Sequence, residues 1–182
     1  MDPNCPLCQA KQTNKHVLSN CGSLFALDRF KTSHDSILAI LISWILRSLK
    51  PDRSAYVDLE GVQYKPLCEV FQSLRPDIAI LGPSSIDTLE LTVCHETNLF
   101  KSRQYKQSRY ANLRSNLNQN YKNFEITNYT IEVTCLGLVT DISQFCNRNL
   151  NAKLNTEIKS QILTAAVSNS FLIYCNRNKN SN

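Results

Sequence analysis

Three groups of side chains in this sequence have types and spacings that can do chemistry. The first is Cys5, Cys8, His16 and Cys21, spaced C-x2-C-x7-H-x4-C. Two thiols separated by two residues chelate one ion from a tight turn. A later His and Cys complete the closed tetrahedron of a structural zinc site. The second group is a pair of carboxylates. Asp77 follows a proline at the head of the apolar run DIAIL, and Glu90 interrupts the run TLELTV. Two carboxylates on one side of a sheet repel and are costly to bury, and a divalent cation relieves that cost. Mg²⁺ favours one or two carboxylates completed by waters and phosphate oxygens, and it can activate water for attack on phosphorus. The third group is a run of cations. Residues 97–124 hold Lys101, Arg103, Lys106, Arg109, Arg114 and Lys122 and no acid, which is the charge that would meet a polyanion. Each group also has a plainer reading: Asp after Pro is a common turn residue, a strand Glu can face solvent, and a basic helix face can simply be hydrated.

These groups need elements to position them. The stretch KTSHDSILAILISWILRSLKPD predicts a helix capped at Thr32 or Ser33, with Asp35 in its first turn and a stop at Lys50-Pro51. Nearly all its faces are apolar, so it should be deeply packed. AYVDLEGVQY reads as a strand and turn. DIAIL at 77–81 and TLELTVC at 88–94 read as strands joined by a GPSSID turn. Paired as a hairpin, they set Asp77 beside Glu90. Leu89, Leu91 and Val93 then face one way, and Glu90 and Thr92 the other. A helix over 98–122 carries the cations, with Tyr105 expected to pack on the sheet. His95 and Glu96 read as loop or helix-start residues. A third strand is expected over 129–139, ending near Gly137. A last helix over 152–174 would turn Leu154, Ile158, Ile162, Ala165 or Ala166, and Leu172 toward a core. The order gives an α/β or α+β fold, a small mixed sheet flanked by helices. Residues 1–24 form the knuckle and 25–182 the main domain.

Composition agrees with a globular chain rather than a disordered one: of 182 residues, 42% are hydrophobic and 19% charged. Lys and Arg exceed Asp and Glu by 20 to 15, which permits an anionic partner without requiring one. The opening residues lack the apolar stretch of a secretory leader. The longest apolar run, 37–49, contains Arg47 and is too short to span a bilayer. The expectation is a soluble intracellular protein with no membrane partner. Thiols stay reduced there, so the eight cysteines are metal ligands or core residues, the latter being the default for Cys68, Cys94, Cys135, Cys146 and Cys175.

The succession RPDIAI…LELTVCHETNLFKSRQYKQSRYANL resembles the restriction-enzyme-like endonuclease domain of site-specific non-LTR retrotransposons, a branch of the PD-(D/E)XK nucleases. The family's PD dipeptide matches Pro76-Asp77, its second acid Glu90, its displaced helical lysine Lys106, and its basic-Tyr pair Arg109-Tyr110. Its upstream CCHC zinc knuckle matches Cys5, Cys8, His16 and Cys21, and its basic-His-Asn/Asp motif matches His34-Asp35. Two positions depart from the pattern. Thr92 stands where ordinary members carry the catalytic lysine, so the ammonium must come from the neighbouring helix, with Lys101 as the rival to Lys106. Ser33 stands where the family has a basic residue.

The resemblance implies a PD-(D/E)XK core and a nuclear, Mg²⁺-dependent endonuclease that nicks DNA, with element RNA as a further partner. Asp77 and Glu90 would bind the metal, and Lys106, Tyr110 and His34 would complete the catalytic set. Lys101, Arg103, Arg109 and Arg114 would contact DNA, and Zn²⁺ would hold the knuckle. The alternatives are a non-catalytic DNA-binding module descended from such a nuclease, and a nuclease acting on RNA or branched DNA.

Overall fold

The structure is a computed structural model that describes residues 4–59, 62, 71 and 75–179. The chain folds as a four-stranded sheet in the order β1-β2-β3-β4, with helices on both faces. The strands are β1 (Ser54–Val57), β2 (Ile78–Gly82), β3 (Ser85–Cys94) and β4 (Glu125–Thr134). β1, β2 and β3 run antiparallel in sequence, and β4 lies parallel to β3 over its whole length. A parallel neighbour requires a crossover, here made by the basic helix α2 (Leu99–Asn120), which follows a single 3₁₀ turn at Glu96–Asn98. Side-chain alternation divides the sheet. Leu89 and Leu91 of β3 and Ile131 and Val133 of β4 face α1 (Leu24–Ser48) and α4 (Thr156–Cys175) in the main core. Ile86 and Ile126 face the other way, toward Tyr110 of α2. Glu90 shares that second face.

The first helix begins at Leu24, well before the expected cap. Ser23 is the cap, its Oγ accepting the Ala26 N–H at 3.3 Å. Thr32, which reads as a cap, instead donates its hydroxyl to the Asp28 carbonyl one turn back. The turns before it were hidden because Leu24, Phe25 and Leu27 are exposed and break the apolar periodicity. His34 therefore sits in mid-helix. Ile37, Leu38, Leu41, Trp44 and Ile45 are buried as the pattern predicts.

The hairpin turn is only Pro83-Ser84, because Gly82 and Ser85 already pair. The polar residues read as turn belong to β3 and find partners there: Ser85 accepts from Arg53, and Asp87 accepts through Oδ2 from Arg148 Nε at 2.9 Å. A Cβ at Gly82 would displace the Arg53 guanidinium from its place over the turn. β4 starts and ends earlier than expected, since Leu136 and Leu138 lie in an exposed turn around Gly137, whose φ is 89°. A short helix unseen in the sequence, α3 (Ser143–Asn149), buries Phe145 and Cys146. In α4 it is Ile173, not Leu172, that turns inward. Cys94, Cys135 and Cys146 are buried thiols, Cys175 is exposed, and Cys68 lies outside the described residues. Among the described residues no helix is long and apolar enough to cross a membrane.

Candidate functional site

The antiparallel register Ile78↔Leu89 sets Asp77, just before β2, opposite Glu90 in mid-β3. Their contact is reciprocal. Asp77 N–H donates to Glu90 Oε1 at 3.2 Å, and Leu91 N–H donates to Asp77 Oδ2 at 2.8 Å. Onto this pair α2 lowers Lys106, whose Nζ lies 2.7 Å from Glu90 Oε2 and 3.6 Å from Asp77 Oδ2. From the opposite side α1 presents His34, with Nε2 at 3.5 Å from Asp77 Oδ2 and Nδ1 at 3.0 Å from Asp35 Oδ1. One turn beyond Lys106, the buried Tyr110 donates its hydroxyl to the Arg75 carbonyl at 3.3 Å. Five residues far apart in sequence thus converge on one point of the sheet.

Only 2% of Glu90 is exposed. Burial and the neighbouring Asp77 charge push its carboxyl above the ordinary value, against the pull of Lys106. Asp77 shifts the other way: burial opposes its charge, but the His34 hydrogen bond and the Lys106 ammonium outweigh that and hold it low. Burial likewise opposes a charged His34, yet its hydrogen bond to Asp77 raises the imidazole. Burial and then the Glu90 charge raise Tyr110, which keeps its proton. Adjacent carboxylates pushed apart in this way are one device by which sites assign different protonation states to like groups.

The other predicted cations fare differently. Lys101 lines a cleft next to Lys106. Arg109 is exposed, its guanidinium 5.8 Å from the centre of the Tyr110 ring. Arg114 lies on α2, and its side chain is outside the description. Arg103, itself half-exposed, grips the buried Glu132 through three hydrogen bonds of 2.7 to 3.2 Å. Thr140 adds a fourth bond to that carboxylate. Tyr105 does not pack on the sheet but stands 64% exposed. The reading of His95 holds: it caps the 3₁₀ turn, accepting the Thr97 N–H.

Sequence reasoning missed Glu132 and Asp87. The signal for Asp87 was its phase, since it shares the parity of Leu89 and Leu91 and so had to point into the sheet's main core face.

The Arg103 pair has a testable consequence. Burial alone would raise Glu132, but the Arg103 hydrogen bonds hold it below its ordinary value of 4.5. A depressed folded pKa adds stability that is complete above the unfolded value and is lost as pH falls through the folded one. Arg103→Ala should cost about 2 kcal/mol at neutral pH, the half-exposed guanidinium tempering the loss. The gap to wild type should close in acid. Urea unfolding at neutral and low pH measures both.

At the N-terminus the four metal-type residues meet. Their ligand atoms all lie within 4.8 Å of one another. Cys5 and Cys21 Sγ are 3.9 Å apart, Cys21 and Cys8 Sγ 3.7 Å, and Cys8 Sγ is 3.2 Å from His16 Nε2. A zinc tetrahedron with bonds of about 2.3 Å to sulfur has sulfur–sulfur edges of about 3.8 Å, so the donor set fits such an ion. Burial opposes the Cys21 thiolate, but Ser23 and the neighbouring thiols lower its pKa overall. The sequence folds this way because the Cys5 carbonyl accepts the Gln9 N–H in a tight turn, and one π-helical turn, His16–Asn20, returns the chain to Cys21. Gln9 takes φ 64° within that loop.

A scan against protein-family models and a search of the curated proteins found no match.

Proposed function

We propose that the chain is a metal-dependent endonuclease of the PD-(D/E)XK kind, which nicks DNA. The observation that carries this reading is the meeting of Asp77, Glu90 and Lys106 across β2, β3 and α2. The restriction-endonuclease resemblance needed an ammonium from the helix where β3 offers only Thr92. Lys106, rather than Lys101, has its Nζ at 2.7 Å from the second acid, and this supports it over its rival.

In this reading Asp77 and Glu90 hold Mg²⁺. Their carboxylates converge on one point, with the donor type and number that Mg²⁺ takes alongside waters and phosphate oxygens. Mg²⁺ when bound would polarise the phosphate and lower the pKa of a coordinated water. Lys106 then orients the scissile phosphate and offsets the charge that develops on it. His34 holds Asp77 in place and ionised, and Tyr110 backs Glu90 while fixing α2 against Arg75. Among the described residues, Lys101 and Arg109 are the predicted cations free of an acidic partner to meet a phosphate backbone, whereas the half-exposed Arg103 is paired with Glu132. Such contacts position a nucleic acid without reading its bases.

Supercoiled plasmid incubated with and without Mg²⁺ tests the proposal. Mg²⁺-dependent nicking is expected, and Asp77→Asn, which keeps the size of the side chain, should reduce it about 10²-fold or more. Binding to the same plasmid should weaken steeply as salt rises. Salt-sensitive binding with no nicking by zinc-loaded protein would replace the nuclease with a DNA-binding module.

A further inference from the structure

Beside the carboxylates lies a cleft of about 600 Å³, inside the range of about 300–1,000 Å³ usual for small-ligand sites. The end of β3 forms its floor, the first turns of α2 one wall, and the π-helical turn of the knuckle the other. Lys106 lines it as well and so links it to the carboxylate site. Its lining holds three lysines, Lys15, Lys101 and Lys106, and no acid. Thr92, on the floor, has a buried hydroxyl with no partner among the described residues. Tyr105 stands exposed on the rim. The two walls are tied, since Asn98 Nδ2 donates to Asn20 Oδ1 at 3.0 Å.

A second cleft, of about 420 Å³, adjoins Asp77 on its other side and is lined by Asp35, Asp58 and Asp77 against Lys31, His34 and Arg75. Three carboxylates make that cleft a poor host for a phosphate. An anionic strand passing the Asp77–Glu90–Lys106 point meets an acid-free, lysine-lined path on the knuckle side.

We propose that the knuckle-side cleft takes one unpaired nucleotide of the substrate strand, next to the phosphate held at the carboxylates. Lys15 and Lys101 grip its phosphate, and Tyr105 stacks on its base. The volume suits one splayed nucleotide rather than a duplex. Stacking on an exposed aromatic ring is tolerant of base identity, and the lining offers hydroxyls and amides in place of a fixed base-reading set. The inference rests on the nuclease reading and narrows its substrate to DNA with a single-stranded or extruded nucleotide beside the cut. It also makes the knuckle part of the substrate site, because Lys15 immediately precedes the ligand-type His16.

Fluorescence anisotropy of the zinc-loaded chain with a labelled five-nucleotide oligothymidylate provides the test, with unlabelled thymidine monophosphate and a blunt duplex as competitors. Tyr105→Ala should weaken oligonucleotide binding about tenfold, while Tyr105→Phe retains it and shows that α2 is intact. Lys15→Ala should weaken it as well. Wild-type affinity in both alanine variants overturns the proposal. So does thymidine monophosphate competing as well as the oligonucleotide, which would make this a free-nucleotide site. The same variants are then assayed on a covalently closed plasmid carrying an unpaired bubble. Nicking by wild type that Tyr105→Ala leaves unchanged removes the cleft from the nuclease. Tyr105-dependent binding in a protein that never nicks keeps the cleft and removes the nuclease.

Discussion

Lys106→Ala should lower plasmid nicking by about 10²–10³-fold and, in the same protein, make Mg²⁺ a stronger stabiliser of the fold. The first effect follows from removing a cation placed where charge develops on a phosphate. The second follows from what Lys106 does at rest. Its ammonium is the counter-charge to two carboxylates, at 2.7 and 3.6 Å, in a pocket where Lys106 is 17% exposed and Glu90 2%. Without it Glu90 loses its ammonium, and of its side-chain partners Asp77 keeps only His34. Breaking a buried ion pair from one side costs about 3–5 kcal/mol, a drop of roughly 6–20 °C in Tm for a chain of this size. A divalent cation that binds the folded pair alone recovers part of that loss by mass action. Thermal melts of wild type and Lys106→Ala, each with and without millimolar Mg²⁺, read this directly. The variant should gain more from Mg²⁺ than wild type does. Equal and negligible gains would mean that Asp77 and Glu90 hold no divalent cation, whatever the nicking assay reports. Lys106→Met, which keeps the aliphatic stem, should follow Lys106→Ala in both measurements, separating charge from packing.

The heart of this site was legible because it depends on local rules. A Pro-Asp at the head of one apolar run, a turn, and an acid in phase with the polar side of the next run suffice to bring Asp77 and Glu90 together. Lys106 comes from the family resemblance, which places the displaced lysine on the helix after the second acid. What sequence hid was set by tertiary partners. Asp87 read as turn because a carboxylate inside a strand makes sense only with Arg148 and Arg53 opposite it. Arg103 read as a DNA contact because its partner, Glu132, is 29 residues away. The start of α1 was hidden by exposed apolar side chains, and Tyr105 was assigned to the sheet because nothing local shows that Tyr110 and Phe124 already supply aromatic packing there. The knuckle was readable for the opposite reason: metal ligands announce themselves by type and spacing, with no need of a hydrophobic pattern.

Removing the knuckle's metal should have the largest structural effect of any single change, and a sharply bounded one. From Asn4 to Gly22 the buried residues are Cys5, Val17 and Cys21. Cys5 and Cys21 cluster with Ala26, backed by Leu7 and Phe30, which is too small a core to offset the conformational entropy of the segment. A closed set of thiolates and imidazole around zinc supplies about 10 kcal/mol or more at neutral pH in isolated fingers, where binding and folding are one event. The main core between α1, α4 and the sheet contains none of the knuckle's residues. Chelation, or Cys8→Ser, should therefore unfold residues 5–21 and leave the sheet standing. Metal analysis should find roughly one zinc per chain in wild type and little in the variant. Hydrogen exchange should show amide protection collapsing at Cys5, Gln9 and Val17 while β2, β3 and β4 keep theirs. Because Lys15 and Asn20 form one wall of the cleft, the stripped protein should also lose its Tyr105-dependent oligonucleotide binding while retaining Mg²⁺ stabilisation at Asp77 and Glu90. Zinc-free protein that keeps knuckle protection would refute the metal reading. Knuckle loss with unchanged oligonucleotide binding would leave the metal in place and separate it from the substrate.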